Sequence, residues 1–160
     1  MRRVAISGHR GLPVDTEQLV DAGLRAAVEE ASDGSGLVGL TCLADGPDTT
    51  FARMLLAAGG TLTVVVPARK YRDSLPAEHH PDYDQLLAAA TDVIELDREE
   101  SDSDAHMAAS LRMLEDVDRL IAVWDGKPAR GFGGTADVVT AARERGIEIT
   151  VVWPDGATRD

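Results

Sequence analysis

The feature that most constrains this chain is a repeated alternation of short apolar runs with stretches of helical periodicity. The runs are Val4-Ala5-Ile6, Leu37 to Cys42, Leu62 to Val66, Val93 to Leu96, Leu120 to Trp124 and Ile147 to Trp153. They are rich in β-branched residues, and turn residues bound several of them. That pattern describes strands buried on both faces, as in a parallel sheet, rather than half-exposed antiparallel strands. Helices are expected between them. Asp15 to Ala31 carries the apolar stripe Leu19, Val20, Leu24, Ala27 and Val28, with Asp15 or Thr16 as cap. Ser32-Asp33-Gly34-Ser35-Gly36 stops it. Asp48 to Ala58 ends at Gly59-Gly60, which suits a helix C-cap. A loop with Tyr71, Pro76, His79, His80 and Pro81 precedes a helix from Asp82 to Ala90. The acidic stretch Glu95 to Asp104 reads as solvated loop entering a helix to about Glu115, and Thr135 to Arg145 is the last helix.

A βαβα order of this kind specifies the α/β class: a three-layer Rossmann-like domain, with a mainly parallel sheet of about six strands and helices on both faces. Residues 1–154 are expected to form one domain, and residues 155–160 a polar tail that frays.

Composition bounds the function. Six of the 160 residues are Phe, Trp or Tyr, so aliphatic side chains must fill the core. The formal net charge is −12. A protein that grips a nucleic-acid backbone normally presents a basic face, so nucleic acid is not expected as a partner. One cysteine, Cys42, excludes an internal disulfide and fits a reducing compartment. The first residues reach Gly8 before any long apolar run, so neither a leader nor a membrane span is expected, and the protein is placed in the cytoplasm. His79-His80 lacks Cys or acids at ligand spacing, so no metal is expected, and no cofactor is implied.

Three loops follow strands and combine glycine with polar residues, and ligands of open α/β sheets bind at such strand ends. In Ser7-Gly8-His9-Arg10-Gly11, Gly8 lets the backbone approach a ligand, while Arg10 and His9 are suited to hold a phosphate. In Ala44-Asp45-Gly46-Pro47-Asp48, either Asp45 or Asp48 accepts from ribose hydroxyls, or Asp48 simply caps its helix. In Gly131-Phe132-Gly133-Gly134-Thr135, a glycine run feeds a helix N-terminus, an anion site to which Thr135 adds a hydroxyl. No Walker motif is present, no G-x-G-x-x-G fingerprint follows the first strand, and no G-x-S-x-G elbow exists. Cys42 lies within an apolar strand and reads as core.

The ordered set resembles the SLOG superfamily, which includes the Lonely Guy phosphoribohydrolases, also called lysine decarboxylase-like, and the Rossmann domain of the DNA-processing protein A family. Ile6 to Arg10 looks like its opening strand and loop. Leu43 to Asp48, running on through Phe51-Ala52 and Gly59-Gly60 to Pro67, looks like its second motif. Asp118 to Trp124 with Gly131 to Thr135 looks like its third. The resemblance implies a homodimer and a nucleotide-derived ligand at these loops. Active phosphoribohydrolases of the family carry P-G-G-x-G-T-x-x-E. Here Arg130 stands at the Pro position, Phe132 at the second Gly and Val138 at the Glu, with Asp137 one residue early. The family's partner arginine lies on the preceding helix, where Arg112 is the nearest candidate.

Two functions follow. The first is binding or sensing of a nucleotide or nucleotide-derived phosphorylated ligand by Gly8, His9, Arg10, Asp45, Asp48, Gly131, Gly133, Gly134 and Thr135. The alternative is a phosphoribohydrolase that cleaves nucleoside monophosphates, with Asp137, Asp45 or Asp48 as the acid and Arg112 or Arg10 as the clamp.

Overall fold

The computed structural model describes residues 2–32, 34 and 36–159. Met1, Asp33 and Ser35 of the expected Ser32–Gly36 turn, and Asp160 of the tail lie outside the described residues. Six strands form one sheet: β1 (Arg2–Gly8), β2 (Leu37–Thr41), β3 (Thr61–Val66), β4 (Asp92–Glu95), β5 (Arg119–Val123) and β6 (Glu148–Val152). All neighbours pair in parallel, in the order β4-β3-β2-β1-β5-β6. The helices are α1 (Val14–Ala31), α2 (Pro47–Ala57), α3 (Tyr71–Ser74), α4 (His80–Ala88), α5 (Ser103–Leu114) and α6 (Thr135–Glu144).

Successive strand residues point to opposite faces, and two cores result. Val4, Ile6, Ile121 and Val123 face α1, α2 and α4. Ala5, Leu120 and Ala122 face α5 and α6. The three-layer α/β architecture is therefore the one the alternating runs imply.

Local differences from the sequence reading have local causes. Neither Asp15 nor Thr16 caps α1. The helix starts one residue earlier, at Val14, behind Pro13, whose φ of −57° leads into the first turn. The segment expected as loop around Tyr71 to Pro81 instead forms α3, a 3₁₀ turn at Ala77–His79 and the start of α4. Pro81 sits in the first turn of α4, where a missing N–H leaves nothing unsatisfied. The tail folds back: Thr158 N–H donates to Thr16 Oγ1 at 2.9 Å, and Ala157 N–H donates to the Pro154 carbonyl at 3.0 Å.

The sheet sits close to α2 because β2 has no side chain where they meet. A Cβ at Gly39 would lie 2.5 Å from Leu55 Cδ2 and 2.8 Å from Phe51 Cε2. Both side chains are fully buried and have nowhere to withdraw. Gly39→Ala is therefore expected to lower the unfolding free energy by about 1–3 kcal/mol. Urea denaturation checks this, and an unchanged midpoint would mean that α2 retreats without cost.

Candidate functional site

The chain order reverses at β1, which lies between β2 and β5. Crossovers on the two sides of such a point diverge and leave a crevice at the carboxyl ends of the strands. A crevice of about 280 Å³ lies there. All three loops singled out in the sequence reach it: the first through Ser7 to Arg10, the second through Ala44 and Asp48, the third through Gly133, Gly134 and Thr135. Asp45 and Gly131 stand outside its wall, as do Asp137 and Arg112. A neighbouring cavity of about 220 Å³ lies beneath the start of α2, lined by Glu17 and Asp21 among others. Its arginine, Arg53, is already paired with Asp82 at 3.0 Å. That cavity is no anion cradle.

The first loop is held rather than loose. His9 N–H donates to the Val123 carbonyl at 3.1 Å, and His9 Nε2 accepts from Asp125 N–H at 3.1 Å. The ring is 4% exposed and meets Trp153 edge-on at 5.8 Å. Burial, and then the nearby Arg159 charge, lower its pKa against the opposing pull of Asp125. A neutral ring accepting at Nε2 fits that environment. His9 thus braces the wall. Gly8 has a packing role as well, since a Cβ there would lie 2.8 Å from Pro47 Cβ. Arg10 reaches across to Asp45 Oδ1 with Nε at 2.9 Å and Nη2 at 2.5 Å. Asp45 therefore holds the arginine at the rim.

The second loop turns sharply. Leu43 is fully buried with φ of +58°, the left-handed region that a branched side chain rarely enters. Thr41 Oγ1 accepts its N–H at 3.0 Å, and its carbonyl accepts from His79 Nε2 at 2.9 Å. This turn delivers Ala44 N–H to Asp48 Oδ2 at 3.3 Å. Asp48 faces the crevice. Desolvation lifts its carboxyl to about 7, against the lowering effects of the Ala44 N–H, the Arg10 charge and the Thr41 hydroxyl.

In the third loop, Gly133 has φ of +85°, and a Cβ would lie 3.1 Å from the Ser103 carbonyl. Its N–H donates to Asp137 Oδ2 at 2.9 Å. The carboxylate expected to do chemistry is thus turned back to brace the loop. Gly134 caps α6 and Thr135 opens it. Thr135 is buried against the crevice, with the free first-turn N–H groups of a helix beside it. Val138 packs in the core, as an apolar side chain at that position should. Arg112 pairs with Asp116 at 2.9 Å and Glu115 at 3.4 Å, just past the end of its own helix. Cys42 lines the crevice, but burial raises its thiol far above the reactive range.

Three polar crevice residues were not singled out in the sequence: His106, Ser110 and Arg159. His106 and Ser110 are four residues apart on α5 and share a face with Met113, a spacing legible in the sequence. His106 Nε2 lies 2.9 Å from Ser101 Oγ, and burial, followed by the Arg10 charge, lowers its pKa. Arg159 had no local signal, because it arrives with the folded-back tail.

No protein-family model matches the chain, and no curated protein sequence matches it. Solved structures do. DNA processing protein A of Streptococcus pneumoniae superposes with a TM-score of 0.66 at 18% identity, over 94% of this chain and 50% of that one. The Helicobacter pylori protein gives 0.65 at 16% identity, over 94% and 64%. The molybdenum cofactor (Moco) carrier protein of Chlamydomonas reinhardtii gives 0.54 at 13% identity, over 97% and 78%. The chain shares the Rossmann-like fold of these proteins. It spans half to about two thirds of the length of the two DNA processing proteins.

That fold corrects one expectation. Net charge was read as setting nucleic acid aside, yet the Helicobacter pylori protein of this fold has a single-stranded DNA binding mode. The charge argument failed because −12 is a sum over the whole chain. Asp15, Glu17, Asp21, Glu29 and Glu30 lie on α1, and more acids lie in the 95–104 stretch. Arg10 and Arg159 stand at the crevice, with Arg130 close enough to lower the pKa of Arg159. A ligand meets the local field, not the sum. Among the described residues no helix is long and apolar enough to cross a membrane, and no group of three His, Cys, Asp or Glu is placed to hold a metal.

The Asp48 carboxyl yields a prediction with a definite sign. The folded chain retains a proton there that the unfolded chain has lost between about pH 4 and pH 7. Stability from this group therefore falls as pH rises through that window and levels off above it. Asp48→Asn should remove the fall and raise stability above pH 7 by about 1 kcal/mol or more. Parallel pH-dependent slopes for the two proteins would show that Asp48 ionises normally.

Proposed function

We propose that this protein binds a nucleotide or nucleotide-derived phosphorylated ligand in the crevice at the strand ends, as a binding or sensing protein. The observation that carries the reading is the meeting, in one crevice, of the α6 N-terminus with Thr135, arginines at the rim, and the Asp48 carboxyl. The helix end and arginines suit a phosphate. Asp48 suits a hydroxyl-bearing sugar, accepting a hydrogen bond when ionised and donating one when protonated. Gly8 and Gly133 hold the walls at the required spacing, and Asp45 aims Arg10. The cytoplasm, where a lone thiol stays reduced, is the setting this reading assumes.

Binding fits better than turnover. Neither Asp137 nor Arg112 lines the crevice, and each is engaged within the protein, Asp137 by Gly133 N–H and Arg112 by Asp116. A phosphoribohydrolase would have to use Asp48, whose raised pKa matches that of a general acid near neutral pH. A second reading is single-stranded nucleic acid. Phe132, 60% exposed, stands between Gly131 and Gly133 in the third loop, two residues from Arg130, an aromatic ring offered to solvent where a base can stack on it. The homodimer implied by the family resemblance belongs to the same proposal.

A panel of nucleoside monophosphates tests the first reading. A ligand that binds only the folded state stabilises it by about 2.7 kcal/mol at a hundred times its Kd. AMP or a related monophosphate is therefore expected to raise Tm by several degrees without release of free base. No shift with any member of the panel would sink the binding reading. Release that Asp48→Asn abolishes would replace it with hydrolysis. Loss of affinity for oligothymidylate on Phe132→Ala, with no response to mononucleotides, would favour the nucleic-acid reading.

A further inference from the structure

Two arginines line the crevice, and their surroundings differ. Arg10 is nearly half exposed and has two N–H groups committed to Asp45. Its charge is largely matched before any ligand arrives. Arg159 is only 20% exposed at its side chain, and its ion-pair contact, Asp125 Oδ2, is 3.9 Å away. That distance is beyond a hydrogen bond. The same carboxylate already accepts Lys127 N–H at 3.0 Å and lies 3.2 Å from His9 Nε2. Arg130 adds a like charge nearby, and burial and that charge both act against the protonated guanidinium. A guanidinium largely kept from water, beside a second cation and without close hydrogen-bonded compensation among the described residues, is suited to receive an anion.

The chain holds Arg159 there deliberately. Trp153 packs on the His9 ring, Ala157 N–H closes a turn on Pro154, and Thr158 N–H is fixed to Thr16 on α1. Resting on the binding function proposed above, we infer that Arg159 is the principal anion-binding side chain of the crevice, which makes Pro154 to Arg159 part of the ligand site. The chemistry recognised is a nucleotide phosphate, whether of a free mononucleotide or of a single strand. Ligand then bridges the α6 N-terminus and the tail, so binding should order residues 155–159.

Calorimetric titration with AMP, and separately with a ten-nucleotide oligothymidylate, tests this on the intact chain. Arg159→Gln is expected to weaken the bound probe by about tenfold or more, with Tm changed little. Arg159→Lys should recover part of the loss, because it keeps the charge without the fork, and Arg10→Gln should cost less than Arg159→Gln. Hydrogen exchange of residues 155–159 should slow when the wild type is saturated. The probe that binds identifies the source of the phosphate. Undiminished affinity in Arg159→Gln, or a larger loss in Arg10→Gln, overturns the inference and leaves the binding function standing. Failure of the wild type to bind either probe removes both.

Discussion

The crevice depends on how the carboxyl ends of β1, β5 and β6 are tied together, and His9 ties them. Its backbone N–H joins it to the end of β5 at Val123, its ring nitrogen takes Asp125 N–H just beyond, and its ring meets Trp153, past the end of β6, in a T-shaped contact. The tie needs a neutral imidazole that accepts at Nε2. Burial supplies that condition by disfavouring the cation. Below the ordinary histidine pKa the unfolded chain takes up a proton that folded His9 resists, so the tie loses stability as pH falls through that range. The rim is thus anchored by a group that most resembles a ligand contact in the sequence.

The same economy of roles recurs around the site. Asp45 holds Arg10, Asp137 holds Gly133 N–H, and Gly8 leaves room for Pro47. Each looked like a contact for a ligand, and each also has a neighbour inside the protein. What faces the crevice besides these is smaller and more informative: the start of α6 with Thr135, the Asp48 carboxyl and the Arg159 guanidinium. The net charge of −12 is a sum over the chain, and the acids of α1 lie on that helix and not at the strand ends. Coulomb energy falls with distance, and salt screens exposed charges beyond about 8–10 Å.

The strands and helices were legible because their signals are local. Uniformly apolar β-branched runs fixed six parallel strands, and their boundaries moved by one or two residues. The three loops were legible because glycine before a polar side chain at a strand end has few other uses. Arg159 was not, since its position depends on a hydrogen bond between Thr158 and Thr16, 142 residues apart. Tyr71 to Pro81 misled for the opposite reason. Prolines and histidines there read as loop, while Pro81 in fact occupies the one helical turn that accepts it.

The question of chemistry turned on a single helical step. Residues one apart on a helix point about 100° from each other. At α6 that step separates Asp137, whose carboxylate turns back to Gly133, from Val138, which enters the core. A side chain that caps its own loop lowers the energy of the empty site and is not free to protonate a leaving base. Asp48 differs on both counts. It faces the crevice, and desolvation lifts its carboxyl to about 7. If any group moves a proton in this protein, the geometry assigns that work to the second loop rather than the third.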